Sequence, residues 1–251
     1  LVAVDSFDND CYLLMLTKAG FIKRTSLSAF SKIRSNGLIA INLEDGDALT
    51  WVRLSKEGDS VLIGSRTGMA IHFRLDINEL RPLGRTARGV KSMNLREGDN
   101  LVSMDVLTSD LVDKLTKIGD LTDETDENLE VSSSEGPWVL IASAFGLGKR
   151  VPVTQFRLQK RAGMGLRAIK FRIKDDELVC LKVMGEGEEL LFVTEKGVIV
   201  RTNADKISQQ SRAATGVKLQ RLDEGDHLSE VVLVPREQID GKDQLKSGEE
   251  H

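Results

Sequence analysis

Four arginines recur in this 251-residue chain at one place in a repeated pattern: Arg34, Arg85, Arg161 and Arg212, each three or four residues before a glycine (Gly37, Gly89, Gly165, Gly216). More cations crowd the same loops, namely Lys32, Arg81, Arg88, Lys91, Arg157, Lys160 and Arg167. A guanidinium is a permanent charge with a planar fork of donors, so a series of them at regular intervals fits a duplex phosphate backbone. The loops hold little that reads base edges, so sequence-tolerant binding is expected. A second basic position lies earlier in the pattern, at Lys23-Arg24, Lys149-Arg150 and Arg201, and is assigned to the same rim. The competing reading is structural: an arginine before a turn glycine bridging to an acidic residue of the next unit.

Other chemistry falls away on inspection. Asp47, Asp99, Asp175 and Asp226 stand ten residues after those glycines, three of them directly after another glycine. Such a repeated Gly-Asp turn is expected to use its carboxylate as a cap for backbone N–H groups rather than as an acid or base. His72 and His227 have no Cys or carboxylate at ligand spacing. The run Ser143-Ala-Phe-Gly146-Leu-Gly148-Lys149-Arg150 superficially looks like a phosphate loop but lacks its first glycine and the hydroxyl after the lysine. No nucleophile, base and orienting group come together, and Tyr12 sits beside an apolar strand. No cofactor or metal is expected within this chain.

The elements that must position the rim repeat as well. Turn glycines Gly20, Gly68, Gly146 and Gly197 are spaced by 48, 78 and 51 residues, each between two short apolar or basic runs that read as a β-hairpin. The second glycine opens a further alternating run (38–43, 90–95, 166–173, 217–222), and the Gly-Asp turn leads into a fourth. Four short strands per unit of about 50 residues make a blade, so the expected fold is all-β, an array of blades stacked radially or as an open spiral. The repeats are placed at roughly 7–54, 55–106, 138–184 and 185–234, within a domain covering 1–237. The opening run, Leu1 to Ser6, matches the strand after each Gly-Asp pair and reads as the end of an earlier repeat.

Charge is uneven. Between residues 105 and 137 ten Asp/Glu face two Lys, and the tail 238–251 adds four against two. The remaining repeats hold 31 basic and 25 acidic residues, so a mildly basic body carries an acidic insertion (107–137) and a polar, disordered tail. Within the insertion only Leu107 to Ile118 has helical spacing. No run approaches the roughly 20 apolar residues of a membrane span, no basic-apolar leader stands at the start, and Cys11 and Cys180 read as buried thiols of a reducing compartment.

The segments Thr17-Lys-Ala-Gly-Phe-Ile-Lys-Arg-Thr25, Gly84-Arg-Thr-Ala-Arg-Gly-Val-Lys91, Gly146-Leu-Gly-Lys-Arg150 and Ser211-Arg-Ala-Ala-Thr-Gly-Val217 resemble the repeats of the DNA gyrase A C-terminal domain. The resemblance implies a β-pinwheel whose basic rim bends double-stranded DNA around itself in support of ATP-driven negative supercoiling. It also implies, in the holoenzyme, ATP and Mg as cofactors and the rest of gyrase A together with gyrase B as partners. The location would be the bacterial cytoplasm at the nucleoid, or a plastid stroma. Two departures stand out: four complete copies where such domains carry six, and no Gln-Arg-Arg-Gly-Gly-Lys/Arg-Gly box in the first, which reads Lys32-Ile-Arg-Ser-Asn-Gly37-Leu38. A box-less domain of the topoisomerase IV type is the alternative within the family. A blade-built protein-interaction scaffold is the alternative outside it.

Overall fold

Each turn glycine closes a hairpin. In the first, the Gly20 N–H donates to the Thr17 carbonyl at 3.0 Å with φ +94° at the glycine, a conformation that costs any other residue strain. The same bond recurs at Gly68, Gly146 and Gly197, at 2.9, 3.0 and 3.0 Å. The structure is a computed structural model that describes residues 2–4, 6–7, 10–33, 35–119 and 136–234. Among these the strands are β1 (Cys11–Thr17), β2 (Phe21–Ser26), β3 (Leu49–Lys56), β4 (Ser60–Ser65), β5 (Met69–Arg74), β6 (Val90–Lys91), β7 (Leu101–Leu107), β8 (Trp138–Ser143), β9 (Leu147–Pro152), β10 (Leu166–Arg167), β11 (Leu178–Met184), β12 (Glu189–Thr194), β13 (Ile199–Asn203), β14 (Val217–Lys218) and β15 (Leu228–Val234). One α-helix, α1 (Ser109–Gly119), follows β7 where the helical spacing predicts it. Residues 120–135 of the acidic insertion and the tail 238–251 lie outside the described residues.

The sheets run β3-β1-β2-β6, β10-β5-β4-β7, β11-β8-β9-β14 and β13-β12-β15. The first three sheets are the expected four-stranded blades, and they share strands with their neighbours as the resemblance to a β-pinwheel implies. Each repeat supplies three strands to its own sheet, and in the first three sheets the fourth is lent by the repeat that follows, with Val90 pairing Ile22, Leu166 pairing Ala70 and Val217 pairing Gly148; the last sheet has three strands among the described residues. The lent strand is two residues long where the alternating pattern suggests five or more, because it meets its partner only where it crosses the neighbouring blade.

That crossing explains the second glycine. A Cβ on Gly89, Gly165 or Gly216 would lie 2.6, 2.5 and 2.6 Å from the carbonyl oxygens of Ile22, Ala70 and Gly148, and all three glycines have positive φ. Gly37 shares the positive φ, yet nothing lies within 4 Å of its would-be Cβ. Accordingly residues 38–43, expected as a strand, form none, and Ile39 is 65% exposed. Alternating apolar residues do not make a strand without a ladder to join.

The chain divides into two compact units, 1–130 with 154–168, and 131–153 with 169–251. In the first, Leu14, Leu16, Ile22, Val61, Ile63, Ile71, Phe73, Leu101 and Met104 form a buried core. In the second, Trp138, Leu140, Cys180, Leu190, Phe192, Leu228 and Val231 do so. The central strands β4 and β8 are buried along their whole length, as strands covered on both faces must be.

Candidate nucleic-acid interface

The Gly-Asp turns set the loops in place. Asp47 Oδ1 accepts the N–H groups of Ala19 (2.9 Å) and Ala48 (2.8 Å), tying its turn to the hairpin turn before Gly20. Asp99 Oδ1 does the same to Thr67 and Asn100, and Asp226 Oδ1 to Lys196 and His227. In the third repeat the role falls to Asp176 rather than Asp175, accepting from Phe145 at 3.1 Å and Glu177 at 2.9 Å. Asp175 takes the glycine's place instead, with φ +67°, and the spacing slips by one. Burial pushes the Asp226 carboxyl up. The Thr194 hydroxyl, these two N–H groups and the Lys196 charge outweigh it and hold the group below its ordinary range.

Three residues assigned to the rim are not on it. Lys23, Arg24 and Lys149 are fully buried, because β2 and β9 are covered by the loops of the next repeat. Lys149 Nζ donates to the carbonyls of Ser211 (2.8 Å), Arg212 (2.5 Å) and Ala214 (2.6 Å), which matches three ammonium donors with three acceptors. Lys23 Nζ donates to the carbonyls of Gly84 (3.0 Å) and Arg85. Burial lowers Lys23 to about 8 and Lys149, helped by the charge of Arg212, to about 7, while the carbonyl bonds favour the ammonium. Arg24 reaches the Leu75 and Leu80 carbonyls and pairs with Glu57 at 2.7 Å. In the second repeat His72 stands at this position, between Ser60 Oγ and the Phe156 carbonyl at 2.7 Å each, and burial lowers its pKa.

The other assigned cations divide further. Arg161, half-buried like Arg85 and Arg212, is tied to the preceding repeat, Nε donating to the Glu79 carbonyl at 3.0 Å and a terminal nitrogen to the Lys91 carbonyl at 2.5 Å. Arg88 pairs with Glu44 and lies 4.4 Å over the Phe21 ring. Arg150 pairs with Asp205 at 3.4 Å and lies 4.5 Å over Trp138, and Arg201 pairs with Glu189 at 3.0 Å. Lys32, Arg81, Lys91, Arg157, Lys160 and Arg167 are exposed, Arg85 and Arg212 half-buried, and Arg34 lies outside the described residues.

Two open grooves on the first unit collect some of them. One, of about 520 Å³, brings Lys32 and Arg85 together with Ser28, Ser31 and apolar Ala29, Ile33 and Leu38, and no carboxylate is among its described lining residues. The other, of about 460 Å³, is lined by Arg157 and Lys160 with Arg74, Asp76, Glu79, Leu158 and Gln159. Both lie where the loop after a hairpin meets the loop of the next repeat. Arg74 carries no signal in the sequence, because no other repeat has a cation there. Among the described residues no group of His, Cys, Asp and Glu is placed to hold a metal ion, and no helix is long and apolar enough to cross a membrane.

Antiparallel blades in series, the first three finished by a strand from the next, define a propeller-like fold with basic loops between successive blades. The chain belongs to the DNA gyrase C-terminal domain, beta-propeller family, whose model matches residues 12–56, 59–108, 137–179 and 188–235. It is 56% identical over 242 residues to the A subunit of DNA gyrase from Synechocystis, covering 94% of this chain and 28% of that protein. It is 38% identical to the corresponding gyrase protein of Staphylococcus epidermidis, again over 94% of this chain but 24% of the relative. The chain thus spans about a quarter of the length of these relatives. Among solved structures, a DNA gyrase A C-terminal domain superposes with TM-score 0.72 at 27% identity, over 92% of this chain and 68% of that one. The C-terminal domain of a DNA topoisomerase IV shares the fold, with TM-score 0.76 at 23% identity, over 99% and 70%.

Proposed function

We propose that this chain binds duplex DNA without sequence preference and bends it along the loops between blades. In this role it is the C-terminal domain of a gyrase A protein, supporting ATP-dependent negative supercoiling by the holoenzyme. The observation that carries this reading is the groove of Lys32 and Arg85, where two cations and two serine hydroxyls gather with no carboxylate among the described lining residues. Such a surface suits phosphate oxygens, which accept from both groups. Bending a duplex costs several kcal/mol, so cations of successive loops must act together. The remainder of gyrase A and the whole of gyrase B would be the partners. ATP and Mg would be held outside this chain, and the site of action would be the bacterial cytoplasm or a plastid stroma.

The test is binding to a linear duplex of about 100 base pairs across a salt series. The native chain is expected to bind with an affinity that falls steeply as salt rises. Changing Lys32, Arg85, Arg157 and Lys160 together to Ala should reduce the slope of log K against log salt by about 3 to 4. Salt-insensitive or absent binding by the native chain overturns the reading in favour of a protein-interaction scaffold.

A further inference from the structure

Three residues after each turn glycine stand Lys23, Ile71, Lys149 and Val200. The two lysines do the same thing. Each is buried and directs its ammonium onto main-chain carbonyls of the next repeat's loop, Lys23 onto Gly84 and Arg85, Lys149 onto Ser211, Arg212 and Ala214. Counted from the second glycine, Arg85 and Arg212 are the same position. In the first pair a buried ammonium therefore grips the backbone of Arg85, whose side chain lines the groove with Lys32.

The second repeat has apolar Ile71 there, fully buried in the core, and the loop ahead of it receives no ammonium from that position. Its arginine, Arg161, takes over. The guanidinium folds onto the Glu79 and Lys91 carbonyls, and its own backbone N–H donates to Glu79 Oε2 at 2.9 Å. With two of its five N–H donors held on these carbonyls, the Arg161 guanidinium is fixed in place and is not free to swing out to a passing phosphate.

Resting on the DNA-binding reading above, we propose that the residue three after the turn glycine decides what the next loop's arginine does. A lysine anchors the loop and leaves the arginine to the phosphate backbone, as Lys23 does for Arg85. An apolar residue makes the arginine the anchor, as Ile71 does with Arg161. Lys23 is thus a positioning residue for DNA, although it never touches DNA.

The experiment measures the salt slope of binding to the same duplex for the native chain and for Arg85→Ala, Arg161→Ala, Lys23→Met and the double variant Lys23→Met/Arg85→Ala, each checked for folding by circular dichroism and melting. Arg85→Ala should lower the slope by about one unit. Arg161→Ala should keep the native slope while melting at lower temperature. Lys23→Met should match Arg85→Ala, and the double variant should lose no more than either single one. A slope lost in Arg161→Ala and kept in Arg85→Ala overturns the assignment, as does a folded Lys23→Met with native slope. If Lys23→Met does not fold, the comparison of Arg85→Ala with Arg161→Ala decides alone. A native chain that does not bind DNA removes the reading beneath the proposal and the proposal with it, whereas native binding with the wrong variant affected removes the proposal only.

Discussion

Lys149 illustrates how far a residue's type can mislead about its place. In the sequence, Lys149-Arg150 is a basic pair, and two adjacent cations read as surface. Nothing local reveals that the next repeat's loop lies over this strand, so residue type alone puts Lys23, Arg24 and Lys149 on the rim when they are in the interior. Lys32, Arg157 and Lys160 stand in loops without such cover and are exposed. Burial also gives Lys149 a signature. Its pKa falls from an ordinary 10.5 to about 7, so between those values the unfolded chain holds more protons and stability rises with pH. The melting temperature is expected to climb from pH 7 to pH 9, and Lys149→Met should flatten the climb. A flat native profile would mean that the three carbonyls hold the proton as tightly as water does.

At the scale of elements, the hairpins are legible in the residues themselves, while the lending of strands follows only from the resemblance to a β-pinwheel. A turn glycine between two short runs specifies a hairpin locally, and all four form. The second glycine is equally visible, but its cause, a backbone carbonyl 2.6 Å from an added Cβ, belongs to a different repeat and leaves no mark nearby. The Asp175 assignment fails for a related reason: an aspartate can adopt the left-handed conformation of the glycine it replaces, shifting the capping carboxylate to Asp176. The glycines give a paired test. Gly216→Ala adds a collision with Gly148 to its positive φ and should cost more than about 2 kcal/mol, while Gly37→Ala, with the same sign of φ and open space around it, should cost only about 1 kcal/mol. Urea unfolding of the two variants measures the difference, and equal losses would show that the crossing is not tight.

For the whole molecule, the repeat count, the all-β class and the family are readable because four linked copies repeat the same turn chemistry. The division of the chain is not. Residues 154–168 belong by sequence to the third repeat but pack with the first unit, since β10 completes the sheet of β5. A sequence repeat marks where the pattern recurs and carries no information about which sheet a segment joins.

That displaced segment has a consequence for a cut chain. Arg157 and Lys160 are exposed, and trypsin cleavage after Lys160 would divide the protein into 1–160 and 161–251. The new amino terminus would nonetheless begin on the second blade. Ala162 donates to Ser92 at 2.8 Å, Asn94 to Gly163 at 2.9 Å and Ala168 to Gly68 at 2.8 Å, with the β10 ladder between. Further along the same piece, β11 remains zipped to β8 of the other. Protein nicked there should therefore run as two bands on a denaturing gel and as one on a native gel, like a split protein that reassembles without ever having come apart. Two native bands would show that borrowed strands are too weak a clasp to replace one peptide bond.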